Sequence, residues 1–184
     1  MSTRTVVTAV AGLLLSVPVS AQQTLEGHRF FIEGRGGVVA PTFDIADVAT
    51  LGPSYGVTLG AQRGNIVLMA AFDHGMHEDE PTEAIDIRTR HYMGKVGISL
   101  TGRVEQGFEV LLNLGAGAVT FDIEGLDAST YFAINAGGKI LYHFSPAVAL
   151  VLSPQGDIAF TDEDELDTGD AWVWPLTAGL RLSF

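Results

Sequence analysis

Trp172-Val173-Trp174-Pro175-Leu176-Thr177-Ala178-Gly179-Leu180-Arg181-Leu182-Ser183-Phe184 closes the chain and alternates without a break. Trp172, Trp174, Leu176, Ala178, Leu180, Leu182 and Phe184 are apolar, whereas the positions between them mix Val, Pro, Thr, Gly, Arg and Ser. Successive side chains of a β-strand point to opposite faces. This run therefore predicts a strand with one wholly apolar face and one mixed face.

The same period of two recurs upstream, at residues 28–40, 54–63, 65–73, 87–100, 108–121, 130–144 and 147–160, with the closing strand at 171–184. Clusters of Gly, Pro, Asn and Asp separate the segments, as turns require. The chain has 22 glycines in 184 residues; an interior Gly costs a helix about 1 kcal/mol relative to Ala, which disfavours a helical reading. Eight segments predict an all-β, eight-stranded antiparallel up-and-down barrel. The connections alternate in length. Arg63-Gly64-Asn65, Thr101 to Gly107 and Ser145-Pro146 are short, while Pro41 to Gly52, His74 to Ile85, Asp122 to Ser129 and Thr161 to Asp170 are longer. The long connections should thus share one end of the barrel.

A secreted lipocalin-like barrel would also have eight antiparallel strands. Segments long enough to cross a bilayer at a tilt, the one-sided loops and the aromatic chain end favour a transmembrane barrel. The first residues add an address: Arg4, an apolar run through Val6 to Leu15, and Val19-Ser20-Ala21 before Gln22. They have the basic start, apolar stretch and small-residue cleavage site of a secretory signal peptide. The expected division is residues 1–21 as signal peptide and residues 22–184 as the barrel domain.

The C-terminal run, with its terminal Phe, resembles the β-signal of bacterial outer-membrane barrels. Together with the signal peptide and eight strands, it resembles the small OmpA/OmpX-type barrels, including opacity-like surface proteins. That resemblance implies insertion into the outer membrane of a Gram-negative-type envelope by the barrel-assembly machinery. Trp174, Leu176, Leu180, Leu182 and Phe184 would serve as its assembly signal. The surrounding partners would be outer-membrane lipid and lipopolysaccharide.

If the apolar face of the last strand meets lipid, the opposite face of every strand lines the interior. That face collects Glu33, Arg35, Gln62, His91, Lys95, Glu109, Asn113, Asn135, Lys139, Ser153, Asp157 and Arg181. Charges of both signs inside so narrow a barrel predict a polar network that fills the lumen, because an unpaired buried charge costs several kcal/mol. Tyr142 and Phe144 at the turn end, with Tyr55, Phe160, Trp172 and Trp174 at the loop end, would form interfacial girdles.

Composition excludes several functions. The net charge of −12 opposes binding to nucleic acid. The absence of Cys removes disulfides, thiol nucleophiles and Cys-ligated metals. The glycine-rich stretches lie in strands and do not suggest a phosphate loop; no cofactor is expected. His143-Phe144-Ser145 suggests a His-activated serine of a lipid A-modifying enzyme, but it falls at a turn on the side away from the outer leaflet, followed by Pro146. His74 and His77 form a His-x-x-His pair beside Glu78, Asp79 and Glu80, a poor metal motif when carried by a loop. Asp162, Asp164, Asp167 and Asp170 offer oxygen ligands for loose divalent-cation binding, without the spacing of an EF-hand.

The long connections and their borders (41–54, 73–86, 122–127 and 161–170) hold 17 of the 22 acidic residues and neither Lys nor Arg. The expected function is a noncatalytic outer-membrane barrel that presents acidic loops for envelope structure, adhesion or surface protection. A small channel for ions or solutes is the alternative, followed by a lipid A-modifying enzyme.

Overall fold

The computed structural model describes residues 27–42, 51–78, 86–102, 104–161 and 171–184. Eight strands run in chain order: β1 (His28–Thr42), β2 (Gly52–Arg63), β3 (Ile66–Glu78), β4 (Asp86–Ser99), β5 (Gly107–Ile123), β6 (Ser129–Ser145), β7 (Val148–Ala159) and β8 (Ala171–Ser183). Each pairs antiparallel with its sequence neighbours, and β1 pairs with β8 to close the barrel. Closure leaves no unpaired sheet edge. At the seam, Phe30 and Phe184 exchange two backbone hydrogen bonds of 3.0 and 2.9 Å.

The pairing fixes the size of the barrel. Phe31 lies opposite Gly60, Gly60 opposite Met69, Met69 opposite Lys95, and Lys95 opposite Gly115. The row continues through Asn135, Asp157 and Val173 and returns to β1 at Pro41, ten positions beyond its start. With ordinary strand spacing, that offset over eight strands gives a tilt of about 40°. Such a barrel has room inside for side chains and little else.

β-Strand alternation then sorts the residues. In β8, Val173, Pro175, Thr177 and Arg181 are buried, while Trp174, Leu176, Ala178 and Leu180 are exposed. Outward positions on the other strands are likewise apolar and exposed, including Leu59, Leu68, Val96, Leu114, Phe132 and Leu150. A continuous wall of Leu, Val, Ile and Phe suits hydrocarbon, with the backbone bonds satisfied between strands.

Inward glycines make room for the lumen contents. A Cβ at Gly60 would stand 2.2 Å from the Phe31 ring, and one at Gly137 would collide with the Gln155 amide. Gly64 turns β2 into β3 with a φ of 58°, a left-handed conformation that glycine adopts without strain.

The structure lengthens several expected strands. The largest change is in β3, expected to end at residue 73 but continuing to Glu78, paired with β4 throughout. Cross-strand hydrogen bonds carry the ladder into what composition alone marks as loop.

Candidate functional site

The lumen is built from alternate residues of all eight strands. Its middle tier is organised around Glu33 of β1. Arg181 Nε donates to Glu33 Oε1 at 2.8 Å, with Arg181 Nη2 at 2.6 Å from the same oxygen. Lys139 Nζ donates to Glu33 Oε2, and Arg35 Nε lies 3.9 Å from that oxygen. Arg35 reaches up to Asp73, with Nη2 2.9 Å from Oδ1 and 3.1 Å from Oδ2, and also donates to Thr58 and Ser153. The Arg181 guanidinium lies 3.9 Å from the centre of the Phe31 ring, close enough for a cation–π contact.

Towards the loop end, Lys95 Nζ donates to Gln155 Oε1 at 3.0 Å, and Asn113 Nδ2 donates to Gln155 and Asn135, each at 2.9 Å. Asn135 donates in turn to Asp157, whose other oxygen is 2.7 Å from His91 Nδ1. Towards the turn end, Glu109 accepts from Gln62 Nε2 at 3.0 Å and lies 2.8 Å from His143 Nε2. The remaining ring nitrogens, His91 Nε2 and His143 Nδ1, are buried without a protein partner. Glu33, Arg35, His91, Lys95, Glu109, Asn113, Lys139, Asp157 and Arg181 all lie inside and belong to these three tiers.

Two apolar clusters accompany the polar tiers. Phe31, Val67, Met69, Leu111, Leu141, Ala149 and Val151 pack in the turn-end half. Ala71, Ile87, Met93, Val119, Phe121 and their neighbours pack in the other half. The lumen is therefore a packed core with ionic layers.

Outside, aromatic residues mark the limits of the apolar wall. Tyr142 packs against Phe108 at 4.9 Å and Phe144 at 5.2 Å near the turn end. Near the loop end, Phe132 stacks on Phe160, Phe72 meets Tyr92 at 5.2 Å, and the Trp174 indole donates to Thr42. Aromatic rings at two levels around an apolar wall are what the two interfaces of a bilayer favour.

Solved structures share this arrangement. Neisserial surface protein A is 12% identical, with 84% of this chain and 97% of that chain aligned at a TM-score of 0.67. A major outer membrane protein from Thermus thermophilus is 14% identical, with 85% and 99% aligned at a TM-score of 0.62. The outer membrane protein OprG from Pseudomonas aeruginosa is 12% identical, with 86% and 96% aligned at a TM-score of 0.56. This chain has the fold of a small outer-membrane β-barrel. No family model and no curated protein sequence matches it.

The structure also relocates several residues. Asp73 is in the lumen on Arg35, although its sequence neighbours group it with the acidic loops. His74 and His77 lie on β3, not in a loop; His77 is buried while His74 stands on the other face, against Tyr55 at 5.0 Å. Opposite parity on the strand thus separates the two imidazoles, and they form no metal pair. His143 turns into the lumen to Glu109, whereas the Ser145 hydroxyl accepts the backbone N–H groups of Ala147 and Val148 and caps the β6–β7 turn. The histidine and serine are engaged with different partners. Asp162, Asp164, Asp167 and Asp170 lie outside the described residues.

Proposed function

We propose that this protein is a noncatalytic outer-membrane barrel whose lumen is closed by its own side chains and whose long connections face outward. It would provide envelope structure and present an acidic surface for adhesion or surface protection. The carrying observation is the inversion of polarity across the barrel wall: Glu33, Lys139 and Arg181 are buried inside, while Leu59, Leu114 and Leu176 are exposed outside. A water-soluble barrel would have the opposite distribution. The barrel-assembly machinery would read Trp174, Leu176, Leu180, Leu182 and Phe184 during insertion. Lipopolysaccharide would surround the loop end.

Membrane fractionation tests the placement. The mature protein should stay with outer membranes after osmotic release of the periplasm and should migrate faster on gels before boiling than after. Recovery as a soluble periplasmic protein with no heat-dependent shift would overturn the reading. A small channel is the second reading, favoured by the buried ring nitrogens His91 Nε2 and His143 Nδ1, which have no protein partner. Planar-bilayer recording separates the two. Steady, reproducible openings by the purified protein would replace a closed scaffold with a channel.

A further inference from the structure

The two ends of the lumen carry the same arrangement. His91 of β4 places Nδ1 2.7 Å from Asp157 Oδ2, and His143 of β6 places Nε2 2.8 Å from Glu109 Oε2. Both imidazoles and both carboxylates are almost completely buried. In each ring the second nitrogen is buried as well and has no protein partner. The Glu33 tier lies between the two pairs and is held by Arg35, Lys139 and Arg181, without a histidine.

An uncharged imidazole suits this setting better than a charged one. One ring N–H donates to the carboxylate in either state. The second nitrogen is a bare acceptor in the neutral ring and an N–H donor in the imidazolium, and a buried cationic donor without an acceptor is the costlier of the two. The carboxylates have other partners besides. Asp157 accepts from Asn135 and lies within electrostatic reach of Lys95, while Glu109 accepts from Gln62 and lies within reach of Arg181. Among the described residues the lumen buries five Lys or Arg side chains against four carboxylates. Two imidazolium ions would raise that excess of positive charge from one to three.

The charged and titratable groups sharing the loop end with His91 are Asp157 of β7, Asp73 and His77 of β3, Lys95 of β4 and Arg35 of β1; β5, β6 and β8 add the uncharged Val119, Asn135 and Val173. His143 shares the turn end with Glu109 of β5, Arg181 of β8, Arg29 of β1 and Lys139 of β6, and β2, β3, β4 and β7 add Gln62, Val67, Ser99 and Ala149. Asp73 is already taken by Arg35 through both of its oxygens. Neither end therefore has a spare carboxylate for a second ring N–H. At the loop end the Thr89 hydroxyl, two residues from His91 on the same face of β4, is another buried polar atom without a protein partner.

We propose that His91 and His143 form an acid-operated lock on the two end tiers of the lumen. At neutral pH each imidazole is uncharged and ties its tier to Asp157 or Glu109. On acidification each takes a proton from solvent, its second N–H has no protein acceptor, and the tier admits water to supply one. The lock rests on the reading of the lumen as closed by its own side chains and assigns a regulation to that closure.

The test uses the full mature protein in two ways. Wild-type barrel in detergent, carrying ¹⁵N in its histidine rings, is followed by NMR from about pH 7.5 to about pH 5, the range in which imidazole changes charge. His91→Gln and His143→Gln assign the two sets of ring signals. Both rings should be uncharged at the upper limit and charged at the lower. In planar bilayers the wild type should be silent at both limits, because the Glu33 tier still fills the cross-section. Glu33→Ala/Lys139→Ala, which opens that tier, should be silent at the upper limit and should show at least about ten-fold more open time at the lower. Adding His91→Gln/His143→Gln, which keeps a side-chain N–H for each carboxylate but takes up no proton, should hold it silent at both.

A ring already charged at the upper limit, or still uncharged at the lower, overturns the lock. So does a Glu33→Ala/Lys139→Ala barrel that keeps its heat-dependent gel shift and conducts alike at both limits or at neither, and so do acid-induced openings that survive the two His→Gln changes. If that barrel loses its gel shift, the two ring titrations of the wild type decide alone. A wild type that is silent and heat-modifiable but whose rings do not titrate loses the lock only. One that conducts at the upper limit loses the closed lumen, and one that is soluble with no gel shift loses the outer-membrane reading.

Discussion

Glu33 is a single carboxylate with three cations around it: Lys139, Arg181 and, at 3.9 Å, Arg35. All four side chains are almost completely buried. Removing the carboxylate leaves Lys139 and Arg181 without their partner, and breaking a buried pair from one side costs about 3–5 kcal/mol. Glu33→Gln should therefore lower stability by an amount in that range. Urea unfolding in lipid vesicles, followed by the fluorescence of Trp172 and Trp174, measures it. Glu33→Gln/Lys139→Met should recover part of the loss, because it removes one stranded cation and leaves an apolar chain of similar size. A Glu33→Gln variant as stable as the wild type would mean that water reaches this tier and solvates its cations.

The strands translate such residues into two surfaces, and the outer surface can be tested by depth. Leu114 of β5 and Ile66 at the start of β3 are both well exposed, but Ile66 adjoins the β2–β3 turn while Leu114 lies within the wall. Leu114→Arg should cost roughly 2–4 kcal/mol and Ile66→Arg about 1 kcal/mol or less, because the penalty for a lipid-facing cation falls towards the interface. The same unfolding assay compares them; equal costs would contradict a bilayer centred on Leu114. The β8 strand adds a kinetic role. Phe184 is half exposed and bonds Phe30 only through its backbone, so Phe184→Ala should refold in detergent as well as the wild type. If its side chain is an assembly signal, the variant should instead show a lower folded fraction in the outer membrane of cells. Unchanged cellular yield would remove that role from Phe184. Strand parity is readable from β8 because its alternation is unbroken, and it places Lys139 and Arg181 inside. The same parity also places His143, four residues beyond Lys139 on β6, and Asp73, which shares a face with Met69 and Ala71 on β3. Local composition hides them: His143 sits beside a turn, and Asp73 precedes a run rich in Gly, His and acids. Which inward residues meet depends on the ten-residue offset around the barrel, a long-range quantity that no single segment contains.

At the scale of the whole molecule, charge is sorted by depth and by face. The acidic residues concentrate in the long connections of the sequence, while the lumen pairs Glu33, Asp73, Glu109 and Asp157 with Arg35, Lys139, Arg181 and two histidines. A solute crossing the barrel would have to part the Glu109–His143 tier, the Glu33 tier and the Gln155–Asn113 tier in succession. Opening one tier should therefore leave the protein silent in a planar bilayer, because the others still fill the cross-section. Glu33→Ala/Lys139→Ala/Gln155→Ala/Glu109→Ala/His143→Ala removes bulk from all three tiers and should produce steady openings absent from the wild type. The cations left in those tiers, Arg35, Lys95 and Arg181, face the carboxylates Asp73 and Asp157, so the opened path should favour anions. Reversal potential under a KCl gradient reads that preference directly. If this variant stays silent while retaining its heat-dependent gel shift, the apolar clusters around Phe31 and Phe121, and not the ionic tiers, are what close the lumen.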